Sequence, residues 1–340
     1  MNDPIEEESA RVEPIRGGLL VVAPHPDDET LIASGAILAA REQGELVTVV
    51  VLTNGDFDCR HDGLTREGES VRGLELLDVD EQRVIFLGYP DGSLARLGQT
   101  PLDVKRLRAG ICGEGSTTYG ARGREHADFH SERFGRPALY THEALVDDLA
   151  QVLDEVQPER VIVTHAEDTH PDHAAAYLYL RSALDRVDEA PVIWSQLVHN
   201  GDCWPTGANA SEPCPPGGVH VHEVTPDLTG RLAGLRAELR VEVPDGCQDA
   251  DPAKNPKIRA ILSHRSQTHG DLENYLVSFA RRDEMFFVER LGWQDRRWSP
   301  LPNEPFLEGV EEEREVNVER LPARAIDVRL LSEEGPVRSV

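Results

Sequence analysis

The stretch GLLVVAPHPDDE, residues 18–29, is where the sequence first commits to a fold. Gly18–Ala23 is an unbroken apolar run of the kind that sits in a sheet covered on both faces. It stops at Pro24, and from Thr30 to Glu42 small and apolar residues recur on one face at helical spacing. A buried strand that turns directly into a helix is the opening half of a βαβ unit. His25, Asp27, Asp28 and Glu29 therefore stand at the carboxyl end of a strand, before a helix N-terminus that favours negative charge.

The same alternation continues along the chain. Leu46–Leu52 and Val84–Leu87 read as strands flanking an amphipathic helix over Thr65–Leu77, and Arg160–Thr164 and Val192–Val198 read as two more. Helical patterns over His142–Val156 and Asp172–Leu184 precede each of these last two. Strands and helices in alternation imply right-handed crossovers, hence an α/β fold with a mostly parallel open sheet and helices on both faces. Ligands of such sheets bind beyond the carboxyl ends of the strands. Two long irregular segments, 109–140 and 199–226, are expected to form loops over those ends. The chain is expected to divide into an N-terminal tail (1–16), one catalytic domain (17–295) and a C-terminal peripheral segment (296–340), with the acidic run Glu308–Arg314 beyond the core.

Charge excludes several partners. The 340 residues carry a formal net charge of −27, and only three of the 35 basic residues, Lys105, Lys254 and Lys257, are lysines. Phosphate backbones and anionic membrane surfaces would be repelled. A saline cytoplasm and arginine usage in a GC-rich genome both account for such a surface. No apolar run reaches the length of about 18 residues that marks a membrane span, and the acidic start MNDPIEEESARVE lacks the features of a secretory leader, so a cytoplasmic protein is expected. The five cysteines are scattered and form no CxxC pair; only Cys203 and Cys214 are placed to join locally. Gly17-Gly18 and Gly120-x-x-Gly123 do not make a dinucleotide fingerprint.

A second polar cluster, His170-Pro171-Asp172-His173, follows the fourth strand as the first cluster follows the first. Two imidazoles three residues apart at a strand-to-helix junction can turn to one point, facing the other cluster. Catalytic zinc takes three protein ligands and keeps a position for water, which a His, Asp, His set satisfies. A spare carboxylate beside it can accept the proton of an attacking water. For a single aspartate the competing reading is a helix N-cap.

These residues are recognisable. APHPDDE at 23–29 together with HPDH at 170–173 resembles the PIG-L/LmbE-like family of zinc-dependent N-acetylglucosaminyl deacetylases. Thr53-Asn54-Gly55-Asp56, the Arg66-x-x-Glu69 helix leading to Phe86-Leu87-Gly88-Tyr89-Pro90-Asp91-Gly92, and His264-Arg265-Ser266-Gln267 with Phe279-Ala280-Arg281-Arg282 agree with it, so the likeness spans roughly 18–290. The resemblance implies a Rossmann-like sheet, one Zn2+ per chain, and hydrolysis of the acetamide of an amino-sugar conjugate. It implies His25, Asp28 and His173 as metal ligands, Asp27 as general base, and His170, protonated, steadying the oxyanion or assisting amine departure. Asp172 would orient an imidazole, Asp91 would contact sugar hydroxyls, and Arg66 would help shape the pocket. Fe2+, Co2+ or Mn2+ suit the same ligands. The family's habit of self-association implies a homo-oligomer.

Some features depart from the family or stay open. Where some relatives have a tyrosine two residues before the first histidine of the second motif, this chain has Asp168, and Tyr119 or Tyr140 could stand in. Arg122, Arg124, Arg133 and Arg136 either bind an anionic aglycone or pair with the protein's own carboxylates. His220 and His222 alternate like neighbours on one strand face, and His61 reads as a loop residue. Two other functions compete: cleavage of a different N-acyl or thiol-conjugate amide, and a non-catalytic carbohydrate-binding protein on the same fold. The retention of Asp27 beside a full ligand set weighs against the latter.

Overall fold

The structure is a computed structural model that describes residues 17–290 apart from 58–59, 105–114, 121–126, 189–190, 202, 207–216, 229–231, 236, 238 and 270. Its strands are β1 (Leu19–Ala23), β2 (Val47–Thr53), β3 (Val84–Tyr89), β4 (Arg160–Thr164), β5 (Val192–Gln196), β6 (Leu239–Glu242) and β7 (Asp283–Arg290). The helices are α1 (Asp28–Glu42), α2 (Arg60–Glu75), α3 (Phe129–Phe134), α4 (His142–Val156), α5 (Pro171–Leu184), α6 (Pro256–Ile261) and α7 (Asp271–Val277).

β1 is the pivot of the sheet. It pairs in parallel with β2 on one side and with β4 on the other, within the strand order β3-β2-β1-β4-β5-β7-β6. The chain thus winds outward through β2 and β3, then returns across β1 to build β4 and β5 in the opposite direction. β1 and β4 flank the switch point, and the crevice above their carboxyl ends is where such sheets bind ligands. All five residues of β1 and all seven of β2 are buried, as expected of strands covered on both faces. Alternate side chains divide between two cores: Leu19, Val21 and Ala23 join one with α1, and Leu20 and Val22 join the other with α4 and α5.

The five parallel strands fall where the sequence places them, with ends shifted by one or two residues. β7, antiparallel to β5, and the edge strand β6, antiparallel to β7, had no counterpart in that reading. β6 is a four-residue strand with alternating partial exposure, too short to show a clear period. α2 begins at Arg60, so His61 lies on a helix and not in a loop. His220 makes one isolated bridge, to Arg281, and no strand holds the pair His220/His222. The C-terminal peripheral segment, Arg122, Arg124 and Cys214 lie outside the described residues; Cys203 is disulfide-bonded. Arg133 pairs with Glu155 at 2.7 Å, the internal partner that an acidic chain offers. Among the described residues no helix is long and apolar enough to cross a membrane.

The antiparallel edge is tied to α1. Glu284 on β7, 1% exposed, accepts from the backbone N–H groups of Gly35 and Ala36 (2.7 and 2.9 Å) midway along α1 and from Lys257 Nζ (2.6 Å), itself 1% exposed. Nearby, Ser34 Oγ donates to the Thr30 carbonyl at 2.6 Å. A carboxylate this deep is stable because three donors converge on it. Lys257→Met leaves that charge short of its cation, and urea unfolding is expected to show a loss of about 3–5 kcal/mol. A change under about 1 kcal/mol would mean that the N–H groups alone suffice.

Candidate active site

The site is assembled where β1 and β4 end. Thr53 at the end of β2 anchors the turn after β1, donating to the Pro24 carbonyl through its N–H and its hydroxyl (3.1 and 2.9 Å). Beyond it His25 Nδ1 lies 3.0 Å from Asp28 Oδ2 and 3.1 Å from His173 Nε2, and His173 Nε2 lies 3.2 Å from the same Asp28 oxygen. All three residues are buried. The two clusters foreseen at separate strand ends are one site.

Each of these side chains is braced from behind. His25 Nε2 faces Asp172 Oδ2 at 3.3 Å and Asp91 Oδ1 at 3.2 Å, and His173 Nδ1 faces Asp168 Oδ2 at 3.4 Å. Carboxylates behind imidazoles fix ring angle and tautomer at metal sites. Asp172 thus lies against the imidazole of His25, which follows the other strand, while its Oδ1 accepts the Leu94 N–H at 3.0 Å. Burial opposes charge on both rings, yet Asp91 holds the His25 pKa well above its ordinary value, and Asp28 with Asp168 lifts His173 to about 9. Burial also opposes the ionised form of Asp28, but His173 and His25 hold its pKa well below the usual range. The pocket favours positive charge at the point where these atoms meet.

That donor set fits a metal ion. Ligand atoms tetrahedrally placed at zinc distances would be about 3.3 Å apart, close to the three separations seen here. Two further sets, His25 with His170 and His173, and His25 with Asp91 and Asp172, bring their donor atoms within 4.8 Å of one another. In the second of these, Asp91 Oδ2 is also held by Arg66 Nη1 at 3.2 Å.

Asp27 occupies the N-cap position of α1 with no capping hydrogen bond from its side chain, which disposes of the cap reading. Its backbone is at φ 153°, ψ −32°, a conformation L-residues rarely adopt and one that costs on the order of 1–3 kcal/mol. Arg66 Nη2 reaches its Oδ2 at 3.2 Å. Burial raises the Asp27 carboxyl to about 6, against the pull of Arg66. Arg66 lies buried between Asp27 and Asp91, and both Asp91 oxygens are engaged by protein groups.

His170 caps α5, its Nδ1 accepting the Asp172 N–H at 3.3 Å. An accepting Nδ1 places the proton of the neutral ring on Nε2. Burial and the neighbouring His173 and His25 hold its pKa well below the ordinary value.

Three features had no role in the sequence reading. Asp168, where some relatives carry tyrosine, accepts from the N–H groups of His170 (2.9 Å), Val198 (2.7 Å) and His199 (2.9 Å), knitting the β4 and β5 loops together. His199 packs on His173 with ring centroids 4.9 Å apart and stacks on Tyr275, whose hydroxyl donates to the Val198 carbonyl at 2.8 Å. His199 directly follows a parallel strand, a position that could have marked it. Tyr275 carries no such signal. Of the two tyrosines proposed to replace the missing one, Tyr140 is wholly buried against Tyr89, and Tyr119 donates to Asp56 Oδ2 at 2.6 Å. Gly88, in the bulge where β3 shifts register on β2, has φ 80°, and a Cβ there would sit 2.7 Å from the Tyr119 carbonyl oxygen.

Residues 20–184 match the family model described as PIG-L: GlcNAc-PI de-N-acetylase. The matched segment runs from β1 to the end of α5. Two curated relatives carry the name 1D-myo-inositol 2-acetamido-2-deoxy-alpha-D-glucopyranoside deacetylase. The one from Corynebacterium jeikeium is 32% identical over 186 residues (51% of this chain, 51% of the relative), and the one from Nakamurella multipartita is 33% identical over 174 residues (49% and 54%). The chain spans about half the length of these relatives. Among solved structures, N,N'-diacetylchitobiose deacetylase from Pyrococcus horikoshii aligns at a TM-score of 0.47 and 16% identity, over 80% of this chain and 83% of its own. The matched segment holds both motifs, whereas His199, His264 and Tyr275 lie beyond it.

Asp168 accepts from N–H groups of both loops, and it is 6% exposed. Asp168→Ala leaves three N–H groups without it and is expected to lower unfolding free energy in urea, measured without added metal, by about 3–5 kcal/mol, with Asp168→Asn intermediate. Native-like stability in the alanine variant would show that solvent replaces the carboxylate.

Proposed function

We propose that the chain is a zinc-dependent hydrolase that removes the acetyl group from an N-acetylglucosaminyl conjugate. The observation that carries this reading is the convergence of His25 Nδ1, Asp28 Oδ2 and His173 Nε2 to within 3.2 Å, with Asp27 joined to the same cluster through Arg66 and Asp91. The relatives named as 2-acetamido-2-deoxy-glucopyranoside deacetylases support the substrate class.

His25, Asp28 and His173 would hold the ion, which when bound supplies Lewis acidity toward the amide carbonyl and makes water easier to deprotonate. The remaining steps fall to the chain. Asp27, ionised, accepts a proton from the water that attacks the carbonyl carbon. Its raised pKa suits a group that must then give the proton up, here to the departing nitrogen. The Nε2–H of His170 donates to the carbonyl oxygen as negative charge collects there, a contact that strengthens only as the reaction proceeds. Arg66 holds the Asp27 carboxylate while Asp91 holds both Arg66 and His25, so one buried chain of charges sets base and ligand together.

The test is amine release from a panel of N-acetylglucosaminides with added Zn2+. The native protein is expected to release glucosamine-type amine and to lose activity to a chelator, and Asp27→Asn is expected to cut kcat by about 10²–10⁴-fold while still binding metal. His173→Ala is expected to bind no zinc in equilibrium dialysis. Folded, zinc-loaded protein that releases no amine from any member would overturn the assignment.

A further inference from the structure

The backbone of Asp27 sits in a conformation that its own sequence neighbourhood does not favour, so something must hold it. Locally, its carbonyl accepts from the Thr30 N–H and hydroxyl at 3.0 and 2.8 Å, contacts within the first turn of α1. Its N–H donates to Glu29 Oε2 at 2.9 Å, and Glu29 is wholly buried. The second oxygen, Oε1, makes no hydrogen bond among the described residues and faces His264 Nε2 at 3.4 Å. His264 is 1% exposed, and neither ring nitrogen has a hydrogen-bond partner among the described residues. A buried imidazole 3.4 Å from a buried carboxylate is placed to hold that carboxylate still.

The histidine is itself fastened from α2. Glu69 accepts from both the N–H and the hydroxyl of Ser266, at 3.0 and 2.6 Å. At Gly73 an added Cβ would meet the Ala260 carbonyl oxygen at 3.1 Å and His264 Nε2 at 3.4 Å, so α2 lies directly against the segment. Contacts therefore run from α2 through 264–266 to Glu29 and end on the amide of Asp27.

We propose that Glu29, held in place by His264, is a positioning residue that fixes the backbone of Asp27 and with it the direction of its carboxylate. This rests on the reading of Asp27 as the base. A purely structural role for the pair would lower stability alone; a positioning role lowers the rate of the chemical step in protein that still folds, binds metal and binds substrate.

The experiment compares native protein with Glu29→Ala, Glu29→Gln, His264→Ala and His264→Gln, each zinc-loaded. Glu29→Ala is expected to lose about 10–100-fold in kcat, with KM and bound zinc unchanged. Glu29→Gln keeps an oxygen for the Asp27 N–H and is expected to recover most of that loss. His264→Ala is expected to fall in the same direction and His264→Gln, which can still donate to Glu29, to recover, so the histidine pair decides if Glu29→Ala does not fold. Native kcat in both alanine variants, or a loss that only tracks missing zinc, would overturn the proposal. If the native protein hydrolyses no member of the panel, the assigned function fails by itself, and crystal structures of native and Glu29→Ala decide this inference. Asp27 leaving φ near 153° in the variant supports it, and an unmoved Asp27 sinks it.

Discussion

The parallel pairing of β1 with β4 is the constraint on which everything at the site depends. The two strands are neighbours in the sheet although 136 residues separate Ala23 from Arg160, and their register, Leu19 on Arg160 through Val22 on Val163, sets their carboxyl ends level. His25 leaves the sheet two residues after β1 and His173 a turn into the helix after β4, yet their ring nitrogens come to 3.1 Å. A slip of one residue in that register would turn every inward side chain of the strand to the other core and part the two imidazoles. Packing and chemistry are fixed by the same backbone hydrogen bonds.

Around that pairing the protein gathers more buried carboxylates than cations. Asp27, Asp28, Asp91, Asp168 and Asp172 meet one arginine, Arg66, and a group of imidazoles. Such an arrangement is costly to desolvate and is tolerated only where hydrogen bonds and positive charge return the loss. Every one of these carboxylates is matched to a specific N–H or ring nitrogen, and the strain at Asp27 lies amid them. The site is rigid because its charges leave it few other arrangements.

Much of this was legible in the sequence, and the boundary of what was legible has physical causes. The five parallel strands announce themselves because strands buried on both faces need continuous apolar residues, as in Leu46–Leu52. His25, Asp27, Asp28, His170, Asp172 and His173 stand out because polar residues in tight groups at strand ends have few structural uses. β6 escaped notice because a short edge strand has too little hydrophobic alternation to detect. Tyr275 and the contact between Glu29 and His264 escaped because they depend on segments brought together by the fold, and no spacing along the chain encodes them. His170 shows a third limit: motif position suggested its part, but its charge state depends on burial and on the imidazoles around it.

The carboxylate of Glu284 on two N–H groups of α1 bears on what the recognised segment is. Residues 20–184 are the stretch that matches the family model. They do not pack by themselves. The helix that carries Asp28 and Glu29 has its middle tied to a residue exactly one hundred positions past that block, and its first turn faces a histidine eighty past it. The later part of the chain therefore completes the surroundings of α1, and a cut after residue 184 would strip the helix that begins at the site of both Glu284 and His264.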